Sequence, residues 1–226
     1  MKEAVVRLER FEREEDGAWF AALAWRAGPG WRVVASSLVG GGLGERSWVL
    51  NAQVSGGYAR LDPDEHLREI AAGAGLEGPG VAMMTAASVD RVRVRTDGGV
   101  AAAVTVGLGR PTWAAASPEL DELRLGLPER YVPGTINIVV AVPAALSDAA
   151  LVNAAATATE AKVQGLLDAG LACTGTASDA ICVAARTGGV PDPFGGPRSR
   201  WGAPLARAVH AAVKAGALSD EWRTAR

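Results

Sequence analysis

Short β-rich runs follow one another along most of this chain across gaps that are largely too short to hold a helix, and that spacing restricts the fold more than any other property. Ala4 to Leu8 and Trp19 to Trp25 read as strands, separated by a charged turn from Glu12 to Gly17. Arg32 to Ala35, Trp48 to Val54, Gly80 to Met84, Val89 to Arg95 and Val100 to Val106 continue the pattern, with Asp97-Gly98-Gly99 as a hairpin turn between the last two. Thr135 to Val142 and Ile181 to Ala185 add two apolar strands. Helical patterns are fewer. Asp62 is placed to cap a helix with Pro63 in its first position, running to about Gly73. Ser147-Asp148 starts another that continues to Asp168 before Gly170, and Ala203 to Ala215 forms the last. Strands joined by hairpin-length turns favour an α/β layered sandwich, with a mixed, largely antiparallel sheet and flanking helices, over a strictly alternating doubly wound fold. With 226 residues, 49% of them apolar, one domain spanning residues 1–226 is the expectation.

Charge and cysteine usage narrow the chemistry. A formal charge of -2, with no run of Lys or Arg, argues against a nucleic-acid partner. The charged N-terminus lacks the apolar run of a secretory signal, and the apolar stretch from Ile138 to Leu146 is far short of the ~20 residues that span a bilayer. A cytoplasmic location and no membrane span are therefore expected. Cys173 and Cys182 are too far apart for a C-x-x-C site, and His66 and His210 lie in helical patterns of different halves of the chain. No metal and no cofactor are required on this reading, which leaves hydroxyl and carboxylate groups as the candidate chemistry.

Several segments resemble the adenosylcobinamide amidohydrolase family, in order, from Asn51 onward. They are Asn51-Ala52-Gln53-Val54, Gly78-Pro79-Gly80-Val81 with Met84-Thr85-Ala86-Ala87, and Gly107-Leu108 before Pro111-Thr112-Trp113. Gly134-Thr135-Ile136-Asn137-Ile138, Ala150 to Lys162, and Thr174-Gly175-Thr176-Ala177-Ser178-Asp179 complete the set. The resemblance implies hydrolysis of the amide that joins aminopropanol to the corrin ring of adenosylcobinamide, giving adenosylcobyric acid for cobalamin salvage. The corrinoid is then the small-molecule substrate, and a homo-oligomer is compatible with this reading. More distantly, Gly134 to Arg186 is similar to self-processing ornithine acetyltransferases and related aminopeptidases, which are αββα sandwiches in which a residue like Thr135 becomes the nucleophile after backbone cleavage.

Candidate site residues follow from chemistry within these segments. Thr135 opens an apolar strand, where its hydroxyl reads either as a nucleophile needing a base or as an ordinary β-branched strand residue. Asn137, two residues on, shares its face and can donate to an oxyanion, hold a substrate amide, or make a structural hydrogen bond. Asn153, Thr157 and Glu160 form a polar stripe on an Ala-rich helix. Glu160 is a general base or orienting carboxylate on one reading and part of a solvated face, paired with Lys162 or Gln164, on the other. Thr174 to Asp179 packs three hydroxyls and one acid together, as a capped turn or as a contact to substrate, with Ser178 and Asp179 favoured and Thr176 beside them. Asn51 and Gln53 share one strand face and suit a rim of carboxamides, and Thr85 is a further candidate substrate contact. Trp113, with Trp48 and Trp201, can pack on a macrocycle, although a given tryptophan is more often core. Gly41 and Gly42, in the run from Val39 to Gly44, form either a ligand-facing loop or a connector, and the stretch from Gly107 to Pro133 reads as a functional excursion.

A non-catalytic corrinoid-binding protein and a self-processing aminopeptidase or acyltransferase are the rivals to the amidohydrolase. The self-processing reading requires a cut before Thr135. Intact mass spectrometry separates it from the others: two fragments are expected if it holds, and a single species at 23.2 kDa if the chain works whole.

Overall fold

The computed structural model describes residues 6–117 and 134–219. In chain order its strands are β1 (Leu8–Glu15), β2 (Ala18–Trp25), β3 (Trp31–Ala35), β4 (Gly42–Glu45) and β5 (Trp48–Gln53), followed by helix α1 (Pro63–Gly73). Then come β6 (Gly80–Thr85), β7 (Arg93–Asp97), β8 (Val100–Val106), β9 (Ile136–Val142), α2 (Asp148–Asp168), β10 (Ala180–Arg186) and α3 (Gly202–Ala217). They form a four-stranded sheet, β1-β2-β5-β6, and a six-stranded sheet, β4-β3-β10-β9-β8-β7. Neighbours run antiparallel except β5 with β6 and β9 with β10. Each parallel pair is joined through a helix, α1 and α2 respectively, because a parallel connection must cross back over the sheet.

Strand alternation sets the layers. One face of β5 carries Trp48, Leu50 and Ala52, which pack with Leu67 and Ile70 of α1. The other face carries Val49, which meets Val81, Met83, Trp31, Val33, Val139 and Cys182 between the two sheets. On the outer face of the larger sheet, Val104, Ile138, Val140 and Val183 pack against Leu151 and Leu166 of α2 and Leu205 and Val209 of α3. The order is helix, sheet, sheet, helices. Alanines at 150, 154, 158 and 161 let α2 lie close on its sheet.

Several expectations need correction. The first strand begins at Leu8, not Ala4, and runs through the charged stretch to Glu15; Ala4 and Val5 lie outside the described residues. As an edge strand, β1 keeps Arg10 and Glu12 in water, where they pair, so charge is compatible with it. The turn itself is only Asp16-Gly17, both at positive φ (51° and 75°), the two-residue geometry that matches strand twist. Val89–Arg91 is a 3-10 turn rather than the start of a strand. Asp62 makes no capping bond, because Arg60 holds its carboxylate through Nε at 2.9 Å and Nη2 at 2.7 Å. Ser147 does cap α2, accepting from the Ala150 N–H at 3.1 Å. Trp48 and Trp201 are buried in the cores against α1 and α3, unavailable to a macrocycle. No helix among the described residues is long and apolar enough to cross a membrane.

Both cysteines are buried, Cys182 between the sheets and Cys173 beneath α2. Burial raises both thiols, Cys182 to about 12, because the thiolate loses its water there. Ellman's reagent at mildly alkaline pH is therefore expected to titrate no thiol in the folded protein and both in denaturant.

Candidate active site

Along most of the space between the sheets the inward side chains are apolar. At one end, where β9 and β10 begin and β5 and β6 finish, they turn polar. Asn51, Thr85, Thr105, Thr135 and Asn137 all face this end, and none is more than 8% exposed. Buried polar groups persist only where hydrogen bonds replace water, and most of these are bonded. Asn137 Nδ2 donates across the gap to Asn51 Oδ1 at 2.8 Å and to the Met84 carbonyl at 3.0 Å. Asn51 Nδ2 in turn donates to Thr105 Oγ1 at 3.0 Å, and Thr85 Oγ1 accepts from the Ala87 N–H at 3.0 Å.

The Met84 carbonyl can only accept, which fixes the Asn137 amide with its nitrogen toward Met84 and Asn51. Both N–H groups are then taken, so the oxyanion-donor role expected for Asn137 has no donor left. Its Oδ1 is buried with no partner. Leaving such an acceptor unpaired costs about 1–3 kcal/mol.

Thr135 lies just before β9 and on the same face as Asn137. Its Oγ1 is 2.9 Å from Ser178 Oγ, and either hydroxyl can donate. Ser178 also reaches toward the Gly134 carbonyl at 3.5 Å. The backbone is held from the other side by the Gly107 N–H, which donates to the Thr135 carbonyl at 3.0 Å. A side chain at Gly134 would come within 2.6 Å of the Gly107 oxygen, so the two chains cross this closely only with glycine there.

Asp179 organises the loop that brings Ser178 into place. Its Oδ1 accepts from the Ile136 N–H at 2.9 Å and from Thr176 Oγ1 at 2.5 Å. Its Oδ2 accepts from the Thr176 N–H at 3.1 Å and from Lys162 Nζ at 2.5 Å. The Asp179 and Lys162 side chains are only 8% and 9% exposed. Four donors leave this carboxylate no free lone pair aimed at Thr135, which makes it an anchor for the start of β9. Gly175 passes so close that a Cβ would fall 2.1 Å from Asp179 Oδ2 and 2.5 Å from Lys162 Nζ.

The other candidates divide by position. Thr176 belongs to the Asp179 anchor. Thr112 bridges to Gly175, its N–H donating to the Gly175 carbonyl at 2.8 Å, which leaves neighbouring Trp113 at the rim, 48% exposed. Gln53 ends β5, with its carbonyl accepting from Arg13 Nη2 at 2.6 Å. Gly41 and Gly42 are exposed where β4 begins, opposite Ala35, which itself pairs with Cys182 near the start of β10. The stripe on α2 splits: Asn153 and Glu160 face solvent, whereas Thr157 is buried and donates to the Gly195 carbonyl at 3.0 Å. None of the cluster's hydrogen bonds involves Glu160. Within the excursion, Leu123 to Arg130 and Pro133 lie outside the described residues. Both histidines are engaged elsewhere, His66 with Tyr58 and Glu15 and His210 with Asp168.

Lys162 is the member that sequence reasoning treated only as a surface partner of Glu160. The usable signal was its place four residues after Ala158, itself four after Ala154, which puts a cation on the packed face of the helix.

The profile of a family described as adenosylcobinamide amidohydrolase matches residues 4–225. A protein of that name from Halobacterium salinarum is 40% identical over 133 residues, covering 59% of this chain and 56% of that protein. Another from Methanosarcina mazei is 30% identical over 190 residues, 80% of this chain and 88% of that one. The match thus spans little more than half of the first relative and most of the second. Among solved structures, an L-aminopeptidase D-Ala-esterase/amidase from Ochrobactrum anthropi covers 93% of this chain and 82% of its own, with a TM-score of 0.45 and 14% identity.

Removing one partner of a buried ion pair strands the other charge away from water. Lys162→Met is therefore expected to lower stability by about 3–5 kcal/mol in urea unfolding. Glu160→Gln, on the exposed face, is expected to stay within about 0.5 kcal/mol of the parent.

Proposed function

The chain belongs to the adenosylcobinamide amidohydrolase family, and from that premise we propose that it hydrolyses the amide joining aminopropanol to the corrin ring of adenosylcobinamide. The products are adenosylcobyric acid and aminopropanol, which suits corrinoid salvage in the cytoplasm. The observation that carries the mechanism is the Thr135 hydroxyl, buried at the end of the inter-sheet space and 2.9 Å from the Ser178 hydroxyl.

A threonine hydroxyl is a weak nucleophile until its proton has somewhere to go. In the proposed reaction Thr135 Oγ1 attacks the amide carbonyl carbon while its proton passes through Ser178 Oγ to the departing nitrogen. The C–N bond breaks, aminopropanol leaves as the amine, and the corrinoid remains as an ester on Thr135. Water then attacks the ester carbonyl, returns one proton through Ser178 to Thr135, and releases the carboxylic acid. Asp179 and Lys162 are positioning residues that hold the peptide entering β9 and the loop carrying Ser178. No step passes through Glu160. Asn51, Gln53 and Thr85 line the substrate's amide rim, Trp113 meets the macrocycle at the mouth, and Gly41-Gly42, where β4 begins, lies toward the same end of the sheet as the start of β10.

Incubation with adenosylcobinamide, followed by chromatography for adenosylcobyric acid, tests the reading. Product is expected from the parent and from Glu160→Ala. Thr135→Ala should lose at least about 1,000-fold in kcat, as loss of an activated nucleophile does, and Ser178→Ala about 100-fold, the scale of a proton-transfer partner. Corrinoid binding without product at any pH would instead support a binding protein.

A further inference from the structure

Among the described residues, Asn137 Oδ1 is the one buried side-chain polar atom at the candidate site without a hydrogen bond, while its neighbours hold the rest of the side chain fixed. We infer that this oxygen accepts the N–H of the scissile amide, so that Asn137 makes the site selective for secondary amides over esters and over amides lacking an N–H. The inference rests on the amidohydrolase reading above and deepens it.

Three observations carry it. The acceptor cannot be turned into a donor, because rotating the Asn137 amide would set its oxygen against the Met84 carbonyl. Asn137 also stands two residues beyond Thr135 on the same strand face, a spacing of about 6.5–7 Å. That is a backbone spacing, and it puts both side chains on one face, so an amide whose carbonyl carbon sits against Thr135 Oγ1 can turn its N–H along the strand toward Asn137. Third, exposure falls inward, from exposed Ser178 to Thr135 at 6% and Asn137 at 1%, so Asn137 lies deeper than Thr135 at the same end of the inter-sheet space.

The chemistry gives such an acceptor work to do. When the carbonyl carbon becomes tetrahedral, the amide nitrogen loses its planarity and its lone pair localises. Holding the N–H toward Asn137 turns that lone pair the other way, toward the proton arriving from Thr135 through Ser178. An ester oxygen has no hydrogen to be held, and an N-methyl amide would press a methyl group against the acceptor.

The test uses the full chain and three forms of one corrinoid side chain: the secondary amide, its N-methyl tertiary amide, and the corresponding ester. Asn137→Leu, close in size, is expected to lower kcat/KM for the amide by about 10- to 100-fold. For the ester the change should stay within about threefold, raising the ester-to-amide ratio. Equal losses on both substrates would mean a structural tie between the sheets, and would overturn the inference. If Asn137→Leu fails to fold, the parent protein decides: cleavage of the N-methyl amide as fast as the secondary amide would overturn it, and an inert N-methyl amide beside a cleaved secondary amide would support it. Failure of the parent to cleave the secondary amide would remove the amidohydrolase reading itself, and this inference with it.

Discussion

The Asp179 carboxylate is the contact on which the arrangement of this end of the molecule depends. It ties together three parts of the chain: the loop from Thr174 to Ser178, helix α2 through Lys162, and the backbone entering β9 at Ile136. Parallel strands β9 and β10 need a crossing helix between them, and this ion pair locks the far end of that helix back onto the starts of both strands. Desolvating two charges is costly, and a buried pair persists only where geometry and additional hydrogen bonds repay it. Here the carboxylate accepts from four donors. The close approach at Gly175 belongs to the same arrangement, since any side chain there would occupy the space of the pair.

With that end closed, the inter-sheet space becomes a gradient. It is aliphatic and aromatic around Trp31, Val49 and Val139 and polar around Asn51, Thr105 and Asn137. The apolar part contributes the burial that holds two sheets together. The polar part holds side chains in single orientations, because each hydrogen bond there is made in a low-dielectric setting where alternatives go unpaired. Asn137 shows the consequence most clearly. Its nitrogen is fixed by a backbone carbonyl and a second amide, and its oxygen is left as a buried acceptor with no partner.

Much of the architecture was legible in the residues, and the exceptions have specific causes. Val100–Val106 and the α2 start at Ser147 were readable because hairpin turns and capping are local. The first strand was misplaced because its alternation is masked by charge, which an edge strand tolerates and a central one does not. Asp62 looked like a cap and is held by Arg60 instead, a competition between neighbours that residue preference cannot decide. Trp48 and Trp201 could have served as ligand platforms, though a tryptophan is more often core, and packing put both in the core.

The sequence by itself determined the family, through motifs spread from Asn51 to Asp179, and it put Thr135 and Asn137 on one strand face, because side-chain alternation is a property of extended backbone. Only the tertiary structure decided which groups those residues meet. Ser178 lies 43 residues from Thr135, Asn51 lies 86 from Asn137, and Lys162 lies 17 from Asp179. Such pairings follow from how two sheets stack and how far a helix slides along one of them. Packing of the whole core sets those quantities, and no local pattern encodes them. For that reason Lys162 passed for a surface residue, and only its partners show that both N–H groups of Asn137 are taken while its oxygen is not.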